Sequence, residues 1–228
     1  MTPRFRQLAD NLWELEGPVK APGLKLQHRM SVIRLASGGL WIHSPVEFDE
    51  RIAGELAQMG HVAYLVAPNR YHDMHWAGWF QRFPEAAFYC VPGLREEHPQ
   101  LPFQNVLEET TRRSWEAEVP KLLIRGMPKM NEFVFVHSAS RTLLVADLVF
   151  NLDPAEQNAF GKLFLRLNGV YGRMGYSRIF RRFIKDRDAF RESITALLAL
   201  DFDRVLPGHG RVVETGGKEI LREAFAWV

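Results

Sequence analysis

The spacing of apolar residues changes along the chain, and each change predicts a different element. Leu12-Trp13-Glu14-Leu15 and Met30-Ser31-Val32-Ile33-Arg34-Leu35 alternate in steps of two, the period of a half-buried strand. Gly38-Gly39 supplies the positive φ of a tight turn into a third strand, Leu40-Trp41-Ile42-His43, which Pro45 closes. The period then lengthens. Ile52, Leu56 and Met59 fall at intervals of four and three, so Glu47 to Met59 reads as a helix with Asp49 as its N-cap. Val62-Ala63-Tyr64-Leu65-Val66-Ala67 is apolar throughout, as expected of a strand covered on both faces, and it stops at Pro68-Asn69.

A short amphipathic stretch (Trp76 to Phe83) and a break at Pro84 precede another strand, Ala87-Phe88-Tyr89-Cys90-Val91. Proline and charge dominate from there to about residue 120. Glu132 to His137 and Thr142 to Val149 form a strand pair around the four-residue connection Ser138-Ala139-Ser140-Arg141. Residues 154–200 are mainly helical, with Phe160, Leu163, Phe164 and Leu167 on one face and Phe180, Phe183 and Ile184 on another. A last strand, Arg204-Val205-Leu206, runs into Pro207-Gly208-His209-Gly210, and a final helix spans Lys218 to Ala226. No repeat or low-complexity linker divides the chain, so one domain over residues 1–228 is expected. Strands, a helix, strands, helices and a strand, in that order, suit a mixed α/β fold with a pair of sheets and helices outside.

At 228 residues the chain can bury a substantial core. Cys90 stands alone, which excludes an intrachain disulfide and a cysteine-based zinc knuckle. No apolar run approaches the roughly 20 residues that span a bilayer, and the first six residues lack the pattern of a secretory signal. A cytoplasmic protein is therefore expected. The formal charge of +2 is too small to imply nucleic acid. It is unevenly placed, however: Gly161 to Arg191 holds nine basic residues against Asp186 and Asp188, a net +7, which leaves −5 for the rest.

Candidate chemistry gathers where hydrophobic strands stop. His72 and His75, in Tyr71-His72-Asp73-Met74-His75, follow one strand; Asp147 ends another; His209 follows a third through a stiff Pro-Gly turn. If those strands lie side by side, their ends converge on one rim, where α/β sheets commonly place ligands. Imidazoles with a carboxylate form a set suited to zinc, iron or manganese.

These features resemble the metallo-β-lactamase superfamily over most of the chain. The likeness rests on Leu12-Trp13-Glu14-Leu15-Glu16-Gly17, the Gly38-Gly39-Leu40-Trp41-Ile42-His43-Ser44 hairpin, the histidine loop, Leu144-Val145-Ala146-Asp147, and Pro207-Gly208-His209-Gly210. It implies a four-layer αββα sandwich with a helical insertion around 154–200, and hydrolysis of esters, thioesters, lactams or phosphodiesters by a metal-bound hydroxide.

The departures point to a degenerate branch. The superfamily loop reads His-x-His-x-Asp-His. Aligned on His75 and Gly78, this chain has Arg70 at the first histidine, His72 at the second and Met74 at the aspartate, with Asp73 one residue away. Gly126-Met127-Pro128 puts methionine where a further histidine belongs. The resemblance therefore implies at most one divalent metal, zinc or iron, held by His75, His209 and Asp147 with His72 nearby. Asp73 or His72 is the expected proton acceptor in such a hydrolase. Arg70, whose guanidinium grips carboxylates and phosphates, would bind a small anionic or ester substrate or pair with Asp147. Arg70 and Met127 equally suit a non-catalytic binding protein that has kept the fold and lost its metals.

Other residues carry simpler expectations. His43 and His137 read as structural, and His28, His61 and His98 as surface groups in polar stretches. Cys90 reads as an inert buried thiol, and Trp76 and Trp79 as packing. The basic segment has three readings: a solvated face, a lid that steers acidic substrates, or a peripheral membrane contact with Phe180, Phe183 and Ile184 behind the arginines.

Overall fold

The computed structural model describes residues 4–228, and its strands form two sheets. The first holds seven strands in chain order: β1 (Arg6–Ala9), β2 (Leu12–Ala21), β3 (Leu24–Arg34), β4 (Gly39–His43), β5 (His61–Val66), β6 (Ala87–Cys90) and β7 (Asn105–Val106). Neighbours from β1 to β4 are antiparallel, and those from β4 to β7 are parallel. Helix α1 (Glu50–Met59) joins β4 to β5 and starts where the Asp49 carboxylate accepts the Ile52 N–H at 2.9 Å. α2 (Trp76–Arg82) joins β5 to β6, and the short α3 (Leu94–Glu97) follows β6.

The second sheet holds β8 (Lys121–Leu123), β9 (Phe133–His137), β10 (Thr142–Val145) and β11 (Arg204–Pro207), in the spatial order β11-β10-β9-β8. Only the β10–β11 pair is parallel. Between them the chain makes α4 (Ala159–Asn168), a 3-10 segment at Arg178–Phe183, and α5 (Arg187–Ala199); α6 (Gly217–Ala224) follows β11.

Period-two alternation in the second sheet builds the layers. Phe133 and Phe135 of β9, Leu144 of β10 and Leu206 of β11 enter one core with Val32, Trp41 and Leu65 of the first sheet. Their neighbours Val134, Val136, Leu143, Val145 and Val205 face the other way, under Phe190, Ile194 and Leu197 of α5 and Leu221 of α6. Ile52 and Leu56 of α1 and Trp76 and Trp79 of α2 join the first core. Helix, sheet, sheet, helix is an αββα sandwich. Each of these fully buried side chains contributes roughly 1.5–3 kcal/mol.

Two expectations change. β5 lies in the first sheet while β10 and β11 lie in the second, so the strand ends meet across the gap between sheets and not side by side in one. The apolar face expected of α4 is also split. Leu165 and Phe164 pack inward on Phe150, Leu152 and Val170, but Phe160, Leu163 and Leu167 are exposed.

Candidate metal centre

Glycine decides how β11 delivers His209. A Cβ on Gly208 would lie 2.6 Å from the Ala146 carbonyl oxygen, so only glycine lets this turn close against the end of β10. Arg29 of β3 holds the turn from the opposite sheet. Its buried guanidinium pairs with Glu14 and Glu16 and donates to the carbonyls of Pro207 and of Gly210, the latter at 2.6 Å. The site is thus fastened to both sheets before any ligand arrives.

Asn69, three residues past the end of β5, shapes the histidine loop. Its side-chain oxygen accepts the N–H groups of Tyr71 and His72, both at 2.9 Å, while its Nδ2 donates to Asp147 at 2.8 Å and Glu132 at 3.1 Å. The Trp76 indole donates to the His72 carbonyl at 3.0 Å. Glu132, wholly buried just before β9, fixes the end of β10. It accepts the N–H groups of Ala146 (2.9 Å), Asp147 (3.0 Å) and Leu148 (3.1 Å).

These supports bring three side chains together. His72, Asp147 and His209 are buried, and each offers a ligand atom within 4.8 Å of the others. His72 Nε2 lies 3.4 Å from Asp147 Oδ2, and His209 Nε2 lies 3.2 Å from Asp147 Oδ1. The far nitrogens are already engaged. His209 Nδ1 donates to the Gln27 carbonyl at 2.6 Å, and His72 Nδ1 is held by the Ser44 hydroxyl. Phe150 stacks on the His209 ring at 5.6 Å.

This donor set fits a cation. A carbonyl can only accept, so Nδ1 of His209 donates to it, and this aims Nε2 at the Asp147 carboxylate. A carboxylate and a ring nitrogen 3.2 Å apart are bridged by a proton or by a metal ion held between them. His72 Nε2, buried with no hydrogen-bond partner, offers a second nitrogen to the same ion. Engagement of the distal nitrogen by a carbonyl or hydroxyl is how ligating histidines are oriented. Burial acts to raise the Asp147 pKa, but His72 and His209 outweigh it and hold it well below the usual carboxylate range. Burial, then the nearby Asp147 charge, pushes Glu132 up to about 7 against the N–H groups donated to it.

The other expected residues are placed differently. His75 opens α2 in the left-handed region, at φ 69°, half-buried and outside the group of three. Asp73 pairs with His98 at 2.9 Å. Arg70 is engaged by Glu97 and by the Pro128 carbonyl at 3.0 Å. Met127 is buried in the second core, where its sulfur accepts from the Tyr176 hydroxyl.

Four site residues escaped the sequence reading. His28 is not a surface group: it is buried, its ring 4.7 Å from that of His72, and its Nε2 donates to the Ser44 carbonyl at 2.9 Å. Burial, with charge on His72, His209 and His75, lowers its pKa well below 6.5. Ser44, the residue after β4, sits at φ 57°, a conformation that costs a non-glycine residue of order 1 kcal/mol. Asn69 and Glu132 complete the set. Their signal was a lone polar residue at the edge of an apolar strand.

A family model described as a domain of unknown function, DUF4336, matches residues 9–165, well over half of the chain. The chain belongs to the DUF4336 family. Ser44, Asn69, His72, Glu132 and Asp147 fall inside the matched stretch of this DUF4336 member, and His209 falls beyond it. No curated protein matches the chain.

Solved structures share its fold. The DIM-1 metallo-β-lactamase exposed to ceftazidime superposes with a TM-score of 0.67 at 15% identity, over 98% of this chain and 96% of that one. A metallo-β-lactamase from Hirschia baltica gives 0.59 at 16% identity, over 96% and 94%. A metal-soaked flavodiiron core from Synechocystis gives 0.67 at 11% identity, and this chain covers 98% of itself but 60% of that protein. The DUF4336 chain thus has the metallo-β-lactamase fold.

Proposed function

We propose that this protein is a metal-dependent hydrolase of an ester, thioester or phosphoester, with one metal held by His72, Asp147 and His209. The observation that carries the reading is the meeting of those three donors, with both imidazoles oriented from behind by Ser44 and Gln27. Two imidazoles and a carboxylate suit zinc or iron. The chemistry such a metal supplies is polarisation of a carbonyl or phosphoryl oxygen and a water pKa lowered toward 7.

The chain's own groups do the rest. Asp147 holds its charge, and Asn69 with the Glu132-bound backbone keeps its carboxylate in place. His72 is committed as a ligand and Asp73 to His98, so His75, half-buried on the same loop, is the imidazole left to accept a proton. Phe150 and, against it at 5.4 Å, Phe180 of the basic segment close one side to water.

Elemental analysis of the purified chain, paired with ester, thioester and phosphodiester hydrolysis with and without chelator, tests this. About one equivalent of metal and chelator-sensitive hydrolysis are expected, both lost in His209→Ala. Absence of metal in the unaltered chain rejects the reading; metal without hydrolysis rejects its catalytic half.

A further inference from the structure

Between residues 160 and 182 the molecule turns apolar side chains outward. Phe160 (60% exposed), Leu163 (53%) and Leu167 (65%) stand at i, i+3 and i+7, one face of α4. Tyr171 and Ile179, also exposed, flank its C-terminal end. Elsewhere among the described residues only Tyr71 and Met74 are large, apolar and comparably exposed, and Tyr71 stacks on Phe183 of this same segment at 5.7 Å. Phe180, Phe183 and Ile184, the side chains the sequence suggested for such a contact, pack inward instead.

Cations adjoin the stripe. Arg178 donates to the Leu167 carbonyl at 3.3 Å, and Arg166 lies over the Tyr171 ring at 4.2 Å. Arg173, Arg178 and Arg181 line a cavity of about 570 Å³ at the end of α4, where Glu223 is the single carboxylate of the wall. Among the described residues the ion pair of this segment is Arg191 with Asp188, and none forms at Lys162, Arg166, Arg173, Arg178, Arg181 or Arg182. A surface arranged only for solubility would scatter its apolar groups and mix its charges.

We propose that this face docks on an anionic phospholipid bilayer, with the α4 stripe entering the boundary between headgroups and acyl chains and the arginines meeting lipid phosphates. Charge selects this occupant. A symmetric contact with a second copy would set one +7 segment near another, whereas an anionic leaflet complements it. The inference is independent of the hydrolase reading, and the two fail separately.

Co-sedimentation of the full chain with phosphatidylcholine vesicles, with and without phosphatidylglycerol, tests it. Binding is expected only when phosphatidylglycerol is present. Each basic residue near such a surface strengthens partition about fivefold, so Arg173→Gln, Arg178→Gln and Arg182→Gln together should weaken it about a hundredfold. Leu163→Ser with Leu167→Ser should remove the binding that survives high salt while leaving the thermal midpoint unchanged. Arg173, Arg178 and Arg182 are exposed, and the bonds of the first two go to backbone carbonyls at the end of α4, so this variant, checked for an unchanged thermal midpoint, decides the matter should the leucine variant lose its fold. Binding indifferent to phosphatidylglycerol or to the arginine variant overturns the proposal. So does sedimentation velocity that shows the leucine pair breaking a dimer in a chain that binds no vesicle.

Discussion

The strand-end rim and the basic segment invert ordinary design in opposite ways. At the rim, polar groups are buried and held: Glu132 receives three backbone N–H groups and the Asn69 amide, and Arg29 is spread over two carboxylates and two carbonyls. Around α4, apolar groups are exposed and, among the described residues, six cations have no carboxylate partner. Burying a carboxylate costs several kcal/mol unless it is hydrogen-bonded, and exposing a leucine forgoes roughly 2 kcal/mol. Stability explains neither arrangement. The rim holds its donors in place, as the proposed coordination site requires, and the segment leaves apolar and cationic groups outward, as the proposed membrane contact requires.

That contrast can be broken most severely at Glu132. Glu132→Leu removes the acceptor of three buried N–H groups and should cost about 3–5 kcal/mol in denaturant unfolding; a loss under about 1 kcal/mol would show that the rim is not built on it. α4 gives the next largest effect. Leu165→Ala should cost about 2–5 kcal/mol, while Leu163→Ser, two residues away but facing out, should stay within about 0.5 kcal/mol. Equal costs would erase the distinction between the faces.

Acid separates the two regions further, because burial beside the rim disfavours the charged forms of His28 and His43. Burial, then the nearby His72, depresses the His43 pKa to about 3. The unfolded chain takes up that proton below about 6.5 and the folded chain does not, so stability is complete above 6.5 and falls as pH drops toward 3. Between pH 7 and 5 this residue should cost about 2 kcal/mol, with His28 adding in the same direction. His43→Phe keeps the ring between Trp41 and Phe135 and should flatten the slope; an unchanged slope would contradict the assignment. The smallest effect is expected at Ser44. Ser44→Ala frees His72 Nδ1 and should weaken metal binding about tenfold in a competition titration, with stability little altered.

How much of this the sequence disclosed depended on whether a residue announces its neighbours. Asp147 and His209 stood out because each ends an apolar run, and the Pro207-Gly208 turn showed where the imidazole would be presented. Asp49 was legible as a cap for the same local reason. Glu132 was not, since its partners lie 14 to 16 residues on and meet it only through the pairing of β9 with β10. His28 sits in a polar run, Leu26-Gln27-His28-Arg29, and is buried because β3 crosses the mouth of the second sheet, where the Arg29 N–H donates to the Gly208 carbonyl at 2.9 Å. Periodicity found the α4 stripe without saying which side faces the protein. That His75 opens α2 in the left-handed region, outside the group of His72, Asp147 and His209, is a feature no spacing reveals.

Anomalous X-ray scattering from crystals of the metal-loaded protein is the most direct test of the central claim. The account requires one peak within bonding distance of His72 Nε2, His209 Nε2 and the Asp147 carboxylate together. A peak on His75 without His72, or none at the rim in a protein that binds metal in solution, would contradict it.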